Sequence, residues 1–243
     1  MLQIQQGFMF IVALLVVLGG SIAVGHGQEI VLADFNTAQQ AVPAGWELIV
    51  NKGNADLRLT SETYGQALHL RSKSASFALQ KEAHISLQDT PYLVWTWKVT
   101  QLPAGGDFRQ PNTDDQAAQL IVSFSATRFI SYIWDSSAPK GIFGQAPSPP
   151  FRKIMAWVIQ SGNQDLGEWK TERRNLVDDY TQLFGTAPKA LKGLRIQINS
   201  QHTQTHAAAS WRSIILTASR HTASHRIGYR IATRPGLPTL DMR

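Results

Sequence analysis

The chain has 243 residues, 43% of them hydrophobic, with no cysteine and a formal net charge of +6. That length holds one large β domain able to bury its own core. The absence of cysteine excludes disulfides, thiol catalysis, thiolate metal sites and lipidation at a leader cysteine.

Residues 1–28 carry no charged side chain, and Phe8 to Leu18 is an unbroken apolar run followed by Gly19, Gly20, Ser21 and Ala23. This pattern predicts an N-terminal hydrophobic leader helix that exports the chain. It is either a signal peptide cut near Ser21-Ile22-Ala23 or an anchor over residues 7–25, a stretch that just reaches the ~17–25 residues spanning a bilayer. The far end differs as well. Arg220, Arg226, Arg230, Arg234 and Arg243 against Asp241 give residues 218–243 a charge of +4, leaving +2 on residues 29–217. Three parts follow: a leader (1–28), a β-sandwich (29–217) and a basic, loosely ordered tail (218–243). The expected location is the periplasm, free or membrane-anchored, with membrane contact through residues 7–25 and the tail. No nucleic-acid partner is expected for an exported protein.

In chain order, Ile30 to Phe35 reads as the first strand, and Pro43-Ala44-Gly45-Trp46 as a turn into Glu47 to Val50. Asp56 to Thr60 and Ala67 to Arg71 flank a Tyr64-Gly65 turn, and Ser74 to Leu79 and His84 to Leu87 follow as separate short strands. Pro91 to Val99 places Leu93, Trp95, Trp97 and Val99 on one face. In Gln116 to Ser125, Ala118, Leu120, Val122 and Phe124 alternate with Gln119, Ser123 and Ser125. Period-two alternation of aromatic and aliphatic residues marks half-buried strands in sheets packed face to face. Loops are expected over Gln101 to Thr113 and Ser136 to Pro150, around a strand at Phe129 to Trp134. Ile154 to Ile159, apolar throughout, reads as a central strand. Asn175 caps a helix whose first turn holds Asp178 and Asp179 and which ends at Gly185; Leu176, Tyr180 and Leu183 form its inward stripe. Strands follow at Leu194, Ile196 and Ile198, and at Ala209, Trp211, Ser213 and Ile215. The fold class is all-β: a jelly-roll-like β-sandwich of two antiparallel sheets with one short helix, the first and last strands side by side.

Chemistry is harder to locate. Asp114-Asp115 and Asp178-Asp179 are carboxylates on separate elements, the arrangement a glycosidase uses as acid and base at about 5 or 6.5–9.5 Å. The competing reading is helix capping and ion pairing, with Asp115 facing Arg173 or Arg174. Arg173-Arg174-Asn175 offers cationic forks for a carboxylate or sulfate. Trp95, Trp97, Trp157 and Trp211 read as core. Trp46, Trp134 and Trp169 lie nearer strand ends, where an indole ring can stack on a ligand, although each of them too reads first as core. His202 and His206 have i, i+4 spacing but fall in a polar loop, and no catalytic serine elbow, phosphate loop or dinucleotide fingerprint occurs. No catalytic residue, metal or cofactor is assigned. The ligand-binding candidates are Asp114, Asp115, Trp134, Arg174, Asn175, Asp179 and Tyr180.

Several of these strings resemble the DUF3047 family of bacterial exported proteins: Thr90 to Val99, Asp114 to Gln119, Val122 to Phe124, Tyr132-Ile133-Trp134, Ser161-Gly162, Trp169, Arg174-Asn175, Asp179-Tyr180 and Phe184-Gly185. The resemblance implies a β-sandwich similar to carbohydrate-binding modules, with no established reaction. It also implies an Asp-x-Asp-x-Thr-Gly-like turn near the last strands. Here that place reads Asn199-Ser200-Gln201-His202-Thr203-Gln204, with amides at both acidic positions. The expectation is a non-catalytic envelope protein that binds a glycan or another envelope component. Alternatives are a polysaccharide hydrolase or lyase using the Asp114/Asp115 and Asp178/Asp179 region, and a structural or assembly protein of the envelope.

Overall fold

A computed structural model of the chain describes residues 29–63 and 65–218. The leader, the tail from residue 219 and Tyr64 lie outside the described residues. Thirteen strands and one helix follow in order: β1 (Glu29–Asp34), β2 (Glu47–Lys52), β3 (Asp56–Glu62), β4 (Gly65–Lys73), β5 (Ser76–Ser86), β6 (Tyr92–Gln101), β7 (Ala118–Ser123), β8 (Arg128–Asp135), β9 (Phe143–Gln145), β10 (Lys153–Ser161), β11 (Lys170–Asn175), α1 (Leu176–Phe184), β12 (Ala190–Asn199) and β13 (His206–Thr217). They form two sheets. One has the order β11-β6-β13-β4-β3, with β1 also on β13; the other runs β2-β5-β12-β7-β8-β10-β9. The all-β sandwich with a single short helix is therefore the architecture, and β1 lies antiparallel to β13, with Ile30 opposite Leu216.

The inner faces meet in an aromatic core. Trp95, Trp97, Trp134, Trp211 and Tyr132 are all fully buried. Trp97 is the hub, with ring centroids 5.5 Å from Trp95, 5.3 Å from Trp211 and 6.0 Å from Trp134, separations at which aromatic pairs attract beyond their area. Trp134, from the seven-stranded sheet, and Trp97, from the six-stranded one, join the two layers.

Three local expectations are corrected, and an unforeseen edge strand is added. The segments expected at Ser74–Leu79 and His84–Leu87 merge into one eleven-residue strand, β5, over Ser76–Ser86. Ile154–Ile159 is not central: among the described residues β10 has only the three-residue β9 beyond it, and it runs parallel to β8, the one parallel pairing there. Its apolar run reflects burial on both sides, because the 136–150 loop covers its outer face. There Ala138 and Ala146 close a second small core with Phe108, Ile133, Ala156 and Val158. In β13 the inward set is Ala209, Trp211, Ile214 and Leu216, since a bulge between Trp211 and Ser213 shifts the phase by one residue. Finally, Lys170–Asn175 is an edge strand on β6. Its sequence, KTERRN, has the polar composition that guards sheet edges and hides them from an alternation test.

Candidate functional site

The charged residues singled out from the sequence do not form one cleft. Asp115, just before β7, is fully buried. Its Oδ2 accepts from Thr203 N at 2.7 Å and Thr203 Oγ1 at 2.8 Å, while Oδ1 has His202 Nδ1 at 3.4 Å. The carboxylate therefore clamps the β12–β13 turn and does not face Arg173 or Arg174. In the same turn, Asn199 Oδ1 accepts from Gln116 N and Gln119 Nε2, and its Nδ2 donates to Asp114 O. An amide, with donor and acceptor both, fits this knot where a carboxylate would not.

At the opposite end of β7, Asp179 is a buried acceptor. Tyr132 Oη donates to it at 2.6 Å and Arg174 Nε at 2.7 Å. Burial works against the charge of Arg174, but the Asp179 carboxylate outweighs it and raises the pKa; burial and Asp179 together hold the Tyr132 phenol well above its usual value. The guanidinium also lies 4.0 Å from the Trp157 ring centroid. Asn175 is the helix N-cap, its Oδ1 accepting from Val177 N at 3.0 Å. Tyr180 is buried, and its hydroxyl accepts from Arg128. Trp134 is fully buried and donates Nε1–H to Gly162 O, so it is core and not a sugar platform. Trp46, against Phe35 at 6.4 Å, is core too. Trp169 is half-buried between Lys98 at 4.7 Å and Arg212 at 4.1 Å. Tyr132, which donates to Asp179, pairs with Leu120, and Tyr180 beside Asp179 packs on Phe124. These positions lie five and nine residues along the chain from Asp115, so at about 3.3 Å per residue the two Asp pairs stand farther apart than the acid–base spacing. Among the described residues, no group of three or more His, Asp or Glu is placed to hold a metal.

The open concavity lies elsewhere, on the outer face of the seven-stranded sheet. A cleft of about 840 Å³ crosses β2, β5, β12, β7, β8 and the start of β10. Register explains its floor. Glu47 pairs with Gln80, Gln80 with Arg195, Arg195 with Ile121, and Ile121 with Ser131, so one outward row crosses five strands. The next row holds Glu82, Gly193, Ser123 and Phe129. Gly193 keeps this part of the floor low: an added Cβ would meet Lys81 O at 3.0 Å. The first row is already ordered by hydrogen bonds, Arg195 Nη2 to Gln80 Oε1 at 2.6 Å and Gln80 Nε2 to Glu47 Oε2 at 2.9 Å.

A second pocket, of about 130 Å³, shares Ile121, Ile154 and Arg195 with the cleft and continues to Asp114, Gln116, Gln119, Gln197 and Asn199. Asp114 is thus the one sequence candidate that borders the concavity. Burial raises its carboxyl to about 6, against the Gln116 hydrogen bond that favours its charge. Ser131, also in this pocket's wall, is 3% exposed and its Oγ has no partner among the described residues. Sequence reasoning passed over Gln80, Ser123, Phe129, Ser131, Arg152 and Arg195. The signal was there in Arg195 and Gln197 alternating with Leu194, Ile196 and Ile198, but any solvated sheet face alternates in the same way.

The family described as "Protein of unknown function (DUF3047)" matches residues 44–215. The chain belongs to that family. The matched segment runs from the turn before β2 into β13 and so includes every strand that floors the cleft. No curated protein matches in sequence. Among solved structures, the chain is similar to the xyloglucanase domain of NopAA, a type three effector from Sinorhizobium fredii (6% identity, 71% of this chain and 94% of that one, TM-score 0.45). It is also similar to two carbohydrate-binding modules of Clostridium thermocellum. The family 11 module of Lic26A-Cel5E shows 10% identity over 80% and 98% of the two chains, TM-score 0.43. The family 30 module of Cel9D-Cel44B shows 9% identity over 80% and 99%, TM-score 0.45.

Proposed function

We propose that the protein is an exported envelope protein that binds a glycan, without catalysis, in the cleft on the outer face of the seven-stranded sheet. The observation that carries this reading is the cleft itself: about 840 Å³ and open, with a floor of amide, hydroxyl and guanidinium groups beside the apolar surfaces of Ile121 and Phe129. Polar groups that present both donors and acceptors match sugar hydroxyls, and apolar side chains match the C–H faces of the rings. Binding without turnover is supported by the separation of the two Asp pairs and by the internal partners of Asp115 and Asp179.

Export is supported by the uncharged first 28 residues. The pairing of Glu29 with Thr217 adds geometry, because the first and nearly the last of the described residues lie side by side. A membrane-held leader and a basic tail would then meet the same lipid surface. Cell fractionation with and without residues 1–28 tests this part; a cytosolic full-length chain contradicts it.

The binding claim is tested by glycan-array screening of the protein followed by a reducing-end assay on every sugar bound. Binding without new reducing ends is the expected result, and turnover replaces the reading with an enzymatic one. Ser123→Trp fills the middle of the cleft from an outward strand position, so it should abolish binding and leave the melting temperature within about 2 °C.

A further inference from the structure

The charge of the cleft is unevenly distributed: of the five arginines that have no carboxylate partner among the described residues, two, Arg152 and Arg195, line it. Arg58 and Arg71 reach Asp56, Arg109 pairs with Asp107, and Arg174 with Asp179. Outside the cleft, Arg128 bonds the Tyr180 hydroxyl, and Arg173 and Arg212 lie over the Tyr92 and Trp169 rings. Arg195 and Arg152 pair with no carboxylate among the described residues. Arg195, in the floor, spends Nη2 on the neutral Gln80 and has only a long contact of 3.5 Å from Nη1 to Gln197 Oε1. A guanidinium has five N–H donors, so most of its capacity is unspent. Arg152, at the start of β10, is exposed and lies over the rings of Phe129 and Phe151, at 5.8 and 5.6 Å. Burial lowers the pKa of Arg195, and the Arg152 charge lowers it further. The two cations thus feel each other, while the Glu47 carboxylate, on the far side of Gln80, acts on Arg195 in the opposite sense. The cleft's carboxylates, Glu47 and Glu82, stand on β2 and β5, toward the other rim.

Resting on the reading of the cleft as a glycan site, we propose that its ligand is an acidic glycan, with one carboxylate or sulfate group held between Arg195 and Arg152. A part-buried guanidinium next to a second cation is an unfavourable arrangement that an anion relieves, and planar forks suit these two groups. The same geometry orients the chain. The anionic residue lies toward β10, and neutral hydroxyl-bearing residues lie over Gln80 toward Glu47. In the adjoining pocket, the unpartnered Ser131 hydroxyl gives a further polar group beside the anionic sugar.

The test titrates the full-length protein with a uronic-acid polymer, a sulfated polysaccharide and a neutral polysaccharide at two salt concentrations. The two acidic polymers separate carboxylate from sulfate as the recognised group. Because the whole chain is basic, Arg71→Gln on the other sheet serves as the charge-matched control. Expected is binding of at least one acidic polymer that weakens about tenfold in Arg195→Gln, as for one lost charge-assisted contact. Arg152→Gln should weaken it about threefold, and Arg71→Gln should not change it. Arg152 is exposed, so its variant still reports if Arg195→Gln fails to fold. Equal losses in Arg71→Gln and Arg195→Gln would show attraction by net charge alone and overturn the inference. Binding of the neutral polymer only, blocked by Ser123→Trp, would overturn the acidic ligand and keep the glycan cleft. No binding of any polymer would overturn both.

Discussion

Two regions of this sandwich hold charged and polar side chains at its heart, and they use them in opposite ways. Beneath the helix, Asp179 receives donors from Tyr132 and Arg174, and Arg174 stacks on Trp157. These three groups are matched to one another within the chain, and the neighbouring Arg173, whose guanidinium has no hydrogen-bond partner among the described residues, is covered by the Tyr92 ring at 4.4 Å. On the outer face of the seven-stranded sheet, Arg195 and Arg152 lack a carboxylate among the described residues, and Ser131 Oγ lacks any partner there. A saturated cluster builds the fold, and a cluster with unspent capacity is where a ligand adds something. Charge density alone does not tell the two apart; the inventory of partners does.

Removing a residue from the saturated cluster should have the largest effect. Asp179→Ala leaves Arg174 and the Tyr132 hydroxyl without their acceptor, and breaking a buried ion pair from one side costs about 3–5 kcal/mol. Chemical denaturation measures this loss, and the folded fraction should bind glycan as before. A stability change below about 1 kcal/mol would show that the pair is not structural.

Asp114 lies between the two regimes, and its expected effect comes next. Its folded pKa of about 6 stands above an unfolded value of about 3.9, so the folded state disfavours the ionised form. The penalty is absent below about pH 4, grows as pH rises through the gap, and is complete above about pH 7. Its full size is about 3 kcal/mol at most. Asp114→Asn, which keeps an acceptor for Gln116, should therefore stabilise the protein at pH 7.5 and change nothing at pH 4. Equal effects at both pH values would contradict the burial account.

Ser131→Ala should have the smallest effect on stability. Deleting a buried hydroxyl that has no partner is neutral or stabilising by about 1 kcal/mol. A loss of 2 kcal/mol would reveal a hidden partner and move Ser131 into the saturated class.

The layers were legible because Leu93, Trp95, Trp97 and Val99 alternate without interruption and all four are buried. The helix was legible because Asn175 and Gly185 mark its ends by local chemistry. Failures arose where a single residue or a distant loop changed the rule. The bulge at Arg212 reversed the facing of Ser213 and Ile215, and the 136–150 loop made an off-centre strand look central. The site was less legible still. Asp115, Arg174 and Asp179 attract attention as charges, yet their partners, Thr203 and Tyr132, come from other elements. The row Gln80–Arg195–Ile121–Ser131 exists only through strand order, with Arg195 lying 115 residues from Gln80 along the chain. Nothing local in either segment marks that meeting.

The central claim is that ligand meets the outer face of the seven-stranded sheet and leaves the charged cluster under the helix untouched. Mapping backbone amide shifts of the protein during titration with a glycan it binds tests this directly. The account predicts the largest shifts at Gln80, Ser123 and Arg195. Shifts centred on Arg174, Asn175 and Asp179, with the sheet's outer face silent, would contradict it.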